Sequence, residues 1–326
     1  MVRSISRLVA TGVVLCLFLE VSARLAIFGP PGLDPRRVGL LRDTAPSELV
    51  RYETEPSLVY EYKPNLDVFF KLVRFRTNSR GMRDQEYALA KPPDTFRVAV
   101  LGSSFALPAG VEIEAAFHSL LEERLSRELA PTRYEFLNFA VGMYGPSQFL
   151  AMLRQRALAF DPDLVLISVS PLAAPRLLGD WRYVPPRDVL RLVPSGPRSY
   201  LAKLVESRLK PGRPTLRDEP PTAPSGVPEG QDVISKLGEV SRATGIPFVV
   251  VRLEFDPGEP SPVERVVERR VRGEGMFYVD TRAAFRGTNP GDFWIYELDP
   301  HPNRDAHAIF ADVLEDFLRR HRLLGR

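Results

Sequence analysis

Val98 to Leu101 is a run of four apolar residues without polar alternation, and it ends in Gly102-Ser103-Ser104. A strand with one wet face alternates apolar and polar residues, whereas one covered on both faces does not, so this run predicts a strand of a parallel sheet in an α/β protein. The signature returns in D163-L-V-L-I-S-V-S170 and I246-P-F-V-V-V-R-L253, with Y134-E-F-L-N-F139 and M276-F-Y-V-D280 as further strands. Helical patterns separate them. Glu112 to Leu125 carries Phe117, Leu120, Leu121 and Leu125 on one face, Ser147 to Ala159, Gln231 to Thr244 and Val263 to Arg270 follow, and Asn303 to Leu324 turns Ile309, Phe310, Leu314 and Leu318 toward the sheet. The order predicts a doubly wound, mostly parallel five-stranded sheet flanked by helices, with right-handed crossovers. At 326 residues and 44% hydrophobic, the chain has room for one such core with insertions.

The domain plan follows. Residues 1–28 form an apolar leader, 29–96 a lead-in with short strands, and 97–326 the α/β domain with an insertion at about 171–230. In the lead-in, V68-F-F-K-L-V-R-F75 reads as a strand or hairpin before N78-S-R-G-M-R-D84. The insertion holds one short amphipathic helix, Tyr200 to Leu209, and a proline-rich, exposed linker from Pro211 to Gly230.

In the leader, Leu8 to Leu19 is uncharged but gives only about 18 Å of helix against a hydrocarbon core of about 30 Å. Extension to Phe28 makes it long enough, with Glu20 and Arg24 spaced to pair on one face. The expectation is a single-pass anchor in the inner membrane with an extracytoplasmic body. The alternative is a cleaved signal peptide with V21-S-A23 at the cleavage site, releasing the body to the periplasm or beyond. Arg24, Arg36, Arg37 and Arg42 offset Arg3 and Arg7, so loop charge does not fix the orientation.

Composition narrows the chemistry. The 44 Lys and Arg are scattered and nearly balanced by 41 Asp and Glu, which argues against nucleic acid as a partner. The single cysteine, Cys16, supports neither an internal disulfide nor a cysteine metal site, and no metal-ligand cluster or cofactor motif is visible. G102-S-S-F-A-L-P108 has neither the dinucleotide glycine spacing nor a P-loop lysine.

The serines after the first sheet strand either cap a helix or face the cleft at the strands' carboxyl ends, where ligands of such sheets bind. A serine nucleophile needs a base, and the base a carboxylate. Of four histidines, His118 and His321 read as surface residues, while His301 and His307 lie in E297-L-D-P-H-P-N-R-D-A-H307 before and within the last helix. His301, two residues after Asp299 in the turn, is the better base.

The order Ser104, Asp299, His301 resembles the SGNH/GDSL hydrolases. N78-S-R-G-M-R-D84 resembles the lead-in of their membrane-anchored bacterial members, R97-V-A-V-L-G-S-S-F105 their first block, and N138-F-A-V-G-M-Y-G-P-S-Q148 their second. D161-P-D-L-V-L-I-S168 resembles the strand before the third block and D299-P-H-P-N-R-D-A-H307 the last. The resemblance implies Ser104 as nucleophile, His301 as general base and Asp299 as its orienting carboxylate, with the N–H groups of Ser104 and Met143 facing the oxyanion. It implies a serine ester hydrolase or O-acyltransferase acting on acyl esters, of an envelope glycan by analogy with related acetylation proteins. Two departures leave an inactive glycan-binding or assembly partner as the alternative. Met143 stands where the family has glycine, and no asparagine occurs between Phe139 and Thr288 to supply the third block's donor. Ser103 stands where the family usually has aspartate. Ser168 or Ser170 offers a substitute hydroxyl only if the loop turns it inward.

Overall fold

The computed structural model of the chain describes residues 2–38, 46–52, 57–170, 173–179, 199–209 and 232–325. The linker expected at 211–230 lies outside them. A long apolar helix, α1 (Val2–Phe28), precedes a one-turn helix α2 (Pro46–Leu49) and two small antiparallel ribbons: β1 (Val50–Tyr52) with β2 (Tyr60–Tyr62), and β3 (Asp67–Phe70) with β4 (Val73–Arg76). The body then runs β5 (Thr95–Leu101), α3 (Phe117–Glu128), β6 (Arg133–Asn138), α4 (Pro146–Gln155) and β7 (Leu164–Val169). After α5 (Tyr200–Leu209) come α6 (Val233–Thr244), β8 (Phe248–Arg252), α7 (Pro262–Gly273) and β9 (Phe277–Asp280). A third ribbon, β10 (Trp294–Tyr296) with β11 (Asp299–Pro302), leads into α8 (Arg304–Arg320).

The five central strands are all parallel, in the order β6-β5-β7-β8-β9. α3 packs on α8, while α4 packs on α6 and α6 on α7, which makes the two helical layers of a doubly wound sheet. β7 and β8 are buried along their whole lengths, as their unalternating sequences require. Phe310, Leu314 and Leu318 of α8 are fully buried, each worth about 1.5–3 kcal/mol. Ile309 is only half-buried at the rim.

The lead-in joins this core through Leu58, Tyr62, Phe75 and Met82. Its motif N78-S-R-G-M-R-D84 acts as a clamp. Asn78 Oδ1 accepts from the N–H groups of Arg80 and Met82, and its Nδ2 donates to Gln85 O. Gly81 adopts φ 81°, where a Cβ would come within 2.4 Å of Tyr62 O, so only glycine fits. Arg83, 1% exposed, donates to the carbonyls of Leu107, Pro108 and Val111 and lies 4.9 Å from the Phe75 ring. The lead-in therefore grips the loop that follows Ser104.

Three local expectations are corrected. The stretch expected to be helical from Glu112 begins its α-helix only at Phe117, because Ala116 is extended behind a short 3-10 turn. The second helix ends at Gln155, followed by a separate 3-10 turn. His118 is not a surface residue: it is 1% exposed, and its Nε2 lies 3.2 Å from Asn138 Nδ2. Burial pushes both His118 and the equally enclosed His307 down to about 3.

Candidate active site

The carboxyl ends of β5, β6 and β7 are where the three loops of interest leave the sheet. Gly102 ends β5, and a Cβ there would meet Ala106 Cβ at 2.8 Å and Ser168 O at 3.0 Å, so the turn closes only on glycine. The chain then coils tightly, with Leu107 N donating to Ser103 O and Ala109 N to Ser104 O. Ser103 is buried within this coil and Ser104 is half-exposed.

Asp299 and His301 lie on β11 rather than in an open turn, two residues apart and thus on the same face of the strand. His301 Nδ1 lies 2.5 Å from Asp299 Oδ1, and the His301 N–H also donates to that oxygen. The imidazole is edge-on to Phe105, the residue after Ser104, with ring centres 5.7 Å apart. Phe105 stacks in turn on Phe255. The structure thus joins Asp299 to His301 and seats His301 beside the Ser104 turn. Among the described residues no hydrogen bond links Ser104 to His301.

A third side chain enters from the lead-in. Lys71 Nζ donates to Asp299 Oδ2 at 2.5 Å and lies 3.1 Å from His301 Nδ1. Burial pushes the Asp299 carboxyl up, but its hydrogen bond with His301 and the Lys71 charge outweigh this and hold it well below the usual carboxylate range. Lys71 and Leu72 form the two-residue turn between β3 and β4, with φ 49° and 72°. Such a turn normally carries Asn-Gly, and two non-glycine residues at positive φ store strain of about 1–2 kcal/mol each. The sequence reading found this hairpin and missed its lysine. The run Val68 to Phe75 holds two charges, Lys71 and Arg74, and nothing in the sequence distinguishes the first.

The loop after β6 is fixed by two tyrosines of β2. Gly142 N donates to Tyr62 Oη at 3.0 Å, and Tyr60 Oη donates to Gly142 O at 2.7 Å. Met143 follows in the left-handed region at φ 66°, with its side chain 55% exposed. Among the described residues the N–H groups of Met143 and Ser104 have no hydrogen-bond acceptor, which leaves both available to a ligand. Asn138 closes the base of this loop, its Oδ1 accepting from Ala140 N and its Nδ2 donating to Ala106 O.

The loop after β7 is different. Ser168 is 2% exposed beneath Gly102, and its Oγ has no partner among the described residues. Ser170 O accepts from the N–H groups of Ala173 and Ala174 as the chain turns away, and its side chain is buried. Neither serine is exposed in the way Ser104 is. No group of histidine, cysteine, aspartate or glutamate among the described residues is arranged to hold a metal ion.

No protein-family model matches the chain, and no curated protein matches it in sequence. Solved structures similar to it include LAE5, an alpha/beta hydrolase enzyme from the metagenome of Lake Arreo, at 14% identity and a TM-score of 0.42, covering 71% of this chain and 97% of that one. A catalytic variant of Axe2, an acetylxylan esterase from Geobacillus stearothermophilus, matches at 14% identity and a TM-score of 0.42 over 69% of this chain and 93% of its own. A two-domain esterase active on acetylated mannans matches at 12% identity and a TM-score of 0.44, over 69% of this chain and 49% of that chain.

Proposed function

We propose that the chain is a membrane-anchored serine ester hydrolase or O-acyltransferase of the SGNH type, with Ser104 as nucleophile, His301 as general base and Asp299 as its orienting carboxylate. The observation that carries this is the Asp299–His301 pair at 2.5 Å, seated against Phe105 beside Ser104 at the carboxyl end of a parallel sheet. With Nδ1–H directed at Asp299, His301 presents Nε2 as the proton acceptor. Ser104 Oγ attacks the acyl carbon while Nε2 takes its proton. The ester C–O bond then breaks, and the proton passes to the departing alkoxide. Water or an acceptor hydroxyl, deprotonated by the same nitrogen, then attacks the acyl carbon, the bond to Ser104 Oγ breaks, and the proton returns from Nε2 to the serine. The N–H groups of Ser104 and Met143 hold the oxyanion. An acylated envelope glycan is the substrate or acceptor we favour.

The anchor belongs to the same reading. Ile5–Phe28 has a mean hydropathy of 1.9, long and apolar enough to cross a bilayer. Glu20 accepts from Tyr200 N, Leu201 N and Ser199 Oγ at the start of α5. Cleavage after Ala23 removes that cap, which favours retention of α1 over a cleaved leader.

A fluorophosphonate probe tests the proposal: Ser104 Oγ displaces fluoride from phosphorus, and labelling is expected in the native chain and absent in Ser104→Ala. Labelling in neither supports the second reading, a glycan-binding or assembly partner without turnover. The observation favouring that reading is the third loop, where Ser168 is buried under Gly102 and the sequence offers no asparagine between Phe139 and Thr288.

A further inference from the structure

The end of α1 and the residues flanking the Asp299–His301 pair meet in one small apolar cluster, separate from the main core. Ile27, Val38 and Tyr200 form its centre, with Phe28, Leu72 and Tyr296 packed around it, and Leu298 beside them. Phe28 is edge-on to Tyr200 and Tyr296 at 4.9 and 4.8 Å. Three of its members adjoin the pair or the lysine that holds it. Leu72 follows Lys71, Leu298 precedes Asp299, and Tyr296 is the register partner of Asp299 across the ribbon.

Helix length then fixes where this cluster lies. If Arg7 stays at the far headgroups, Leu8 to Leu19 covers about 18 Å, which leaves about 12 Å of hydrocarbon, or about eight residues, still to span. The next residues along the helix are Glu20 to Ile27, and Ala23, Arg24 and Ile27 are already buried against the body. No slack separates membrane from body. Glu20 and Arg24 enter this zone as a pair, 3.2 Å apart, which makes their position tolerable. Beside them α5 exposes Val205 and Leu209, 48% and 76% accessible, while Lys203 lies over the Tyr200 ring and Arg208 pairs with Glu297 of the segment before Asp299.

We propose that the candidate active site works against the bilayer surface, with the start of α5 reaching below the headgroup layer beside Glu20, and that the ester it accepts is carried by an amphiphile held in the membrane. This rests on the assignment of Ser104, His301 and Asp299 above. In the acylation step the bond from the acyl carbon to the amphiphile's oxygen breaks, the bond to Ser104 Oγ forms, and the serine proton leaves on the amphiphile's new hydroxyl.

The test uses the full chain carrying Cys16→Ser, reconstituted in phosphatidylethanolamine–phosphatidylglycerol vesicles. A fluorophore is attached through Val205→Cys on α5 or, for reference, through Glu123→Cys on the exposed side of α3. Nitroxide-bearing lipid is expected to quench the first and spare the second. In the same vesicles a two-chain lipid fluorophosphonate is expected to label Ser104 at least tenfold faster than a short water-soluble one. An unquenched Val205 label, or equal labelling rates, overturns this inference and leaves the esterase reading standing. Failure of both probes to label a folded chain removes the esterase reading and the inference with it.

Discussion

The two sides of the candidate site are built to different standards. On the ribbon side, both carboxylate oxygens of Asp299 are met, Oδ1 by His301 and Oδ2 by Lys71, and the His301 ring rests on Phe105. On the loop side the backbone is equally well fixed, by Tyr60, Tyr62 and Asn138, yet the donors it offers are two bare N–H groups, one of them on a methionine at φ 66°. Proton transfer is prepared more completely than oxyanion stabilisation. Since one missing oxyanion donor typically lowers a rate about a hundredfold to a thousandfold, the comparison predicts a site that forms an acyl-serine slowly with simple esters.

The largest effect comes from breaking the ribbon side. Ser104→Ala and His301→Ala are each expected to lower the fluorophosphonate labelling rate by about a thousandfold or more, read by in-gel fluorescence, while Ser103→Ala keeps most of it. Residual labelling of Ser104→Ala at the native rate would place the nucleophile elsewhere.

Acid separates the two sides next. Behind the loops, His118 touches Asn138 and His307 stacks on Phe117 with ring centres 5.9 Å apart. Both stay neutral down to about 3 when folded, whereas an unfolded imidazole takes a proton near 6.5, so their contribution is complete above about 6.5 and is lost as pH falls toward 3. Buried Asp84, pushed up to about 8, works in the opposite direction. Substitution isolates the histidine. Relative to the native chain, His307→Phe is expected to gain up to about 1.4 kcal/mol for each pH unit of acidification below about 6.5, measured by urea unfolding at several pH values. A difference that stays constant with pH excludes this account. Asp299, held low, loses its stabilising charge only below the ordinary carboxylate range, so the ribbon side outlasts the loop side in acid.

Lys71→Met is expected to reduce labelling about tenfold, because Asp299 Oδ2 loses its partner and the carboxylate is freer to turn away from His301, while Lys71→Arg retains most of the rate. Equal rates for all three would reduce Lys71 to a hairpin residue. The smallest effect lies across the cleft: Met143→Gly relieves the left-handed backbone and is expected to stabilise the fold by about 1 kcal/mol, seen as a rise in Tm, with labelling changed less than about twofold.

The sheet was legible because burial on both faces leaves a mark in the sequence itself, as in Phe248 to Val251. The start of α3 was not: Glu112 to Ala116 has helix-forming composition, and the extended Ala116 is set by packing. His118 was misread although the pattern held the answer, since it lies three and seven residues before Leu121 and Leu125 on their buried face. Ser104, Asp299 and His301 could be picked out by chain order. Lys71 could not, because its carboxylate partner is 228 positions away and its turn lacks the glycine or asparagine that advertises positive φ.

The Glu20 cap on α5 also has a temporal side. The first helix to be synthesised supplies the carboxylate that caps backbone N–H groups 180 positions later in the chain, a contact whose closure entropy is among the largest in the molecule. By the time Tyr200 is available, α1 has long left the ribosome, so α5 docks onto a helix already made. Ordering of α5 is therefore a late event in biogenesis, and the ribbon carrying Asp299 and His301, later still in the chain, is finished against a surface that α1 and α5 have prepared.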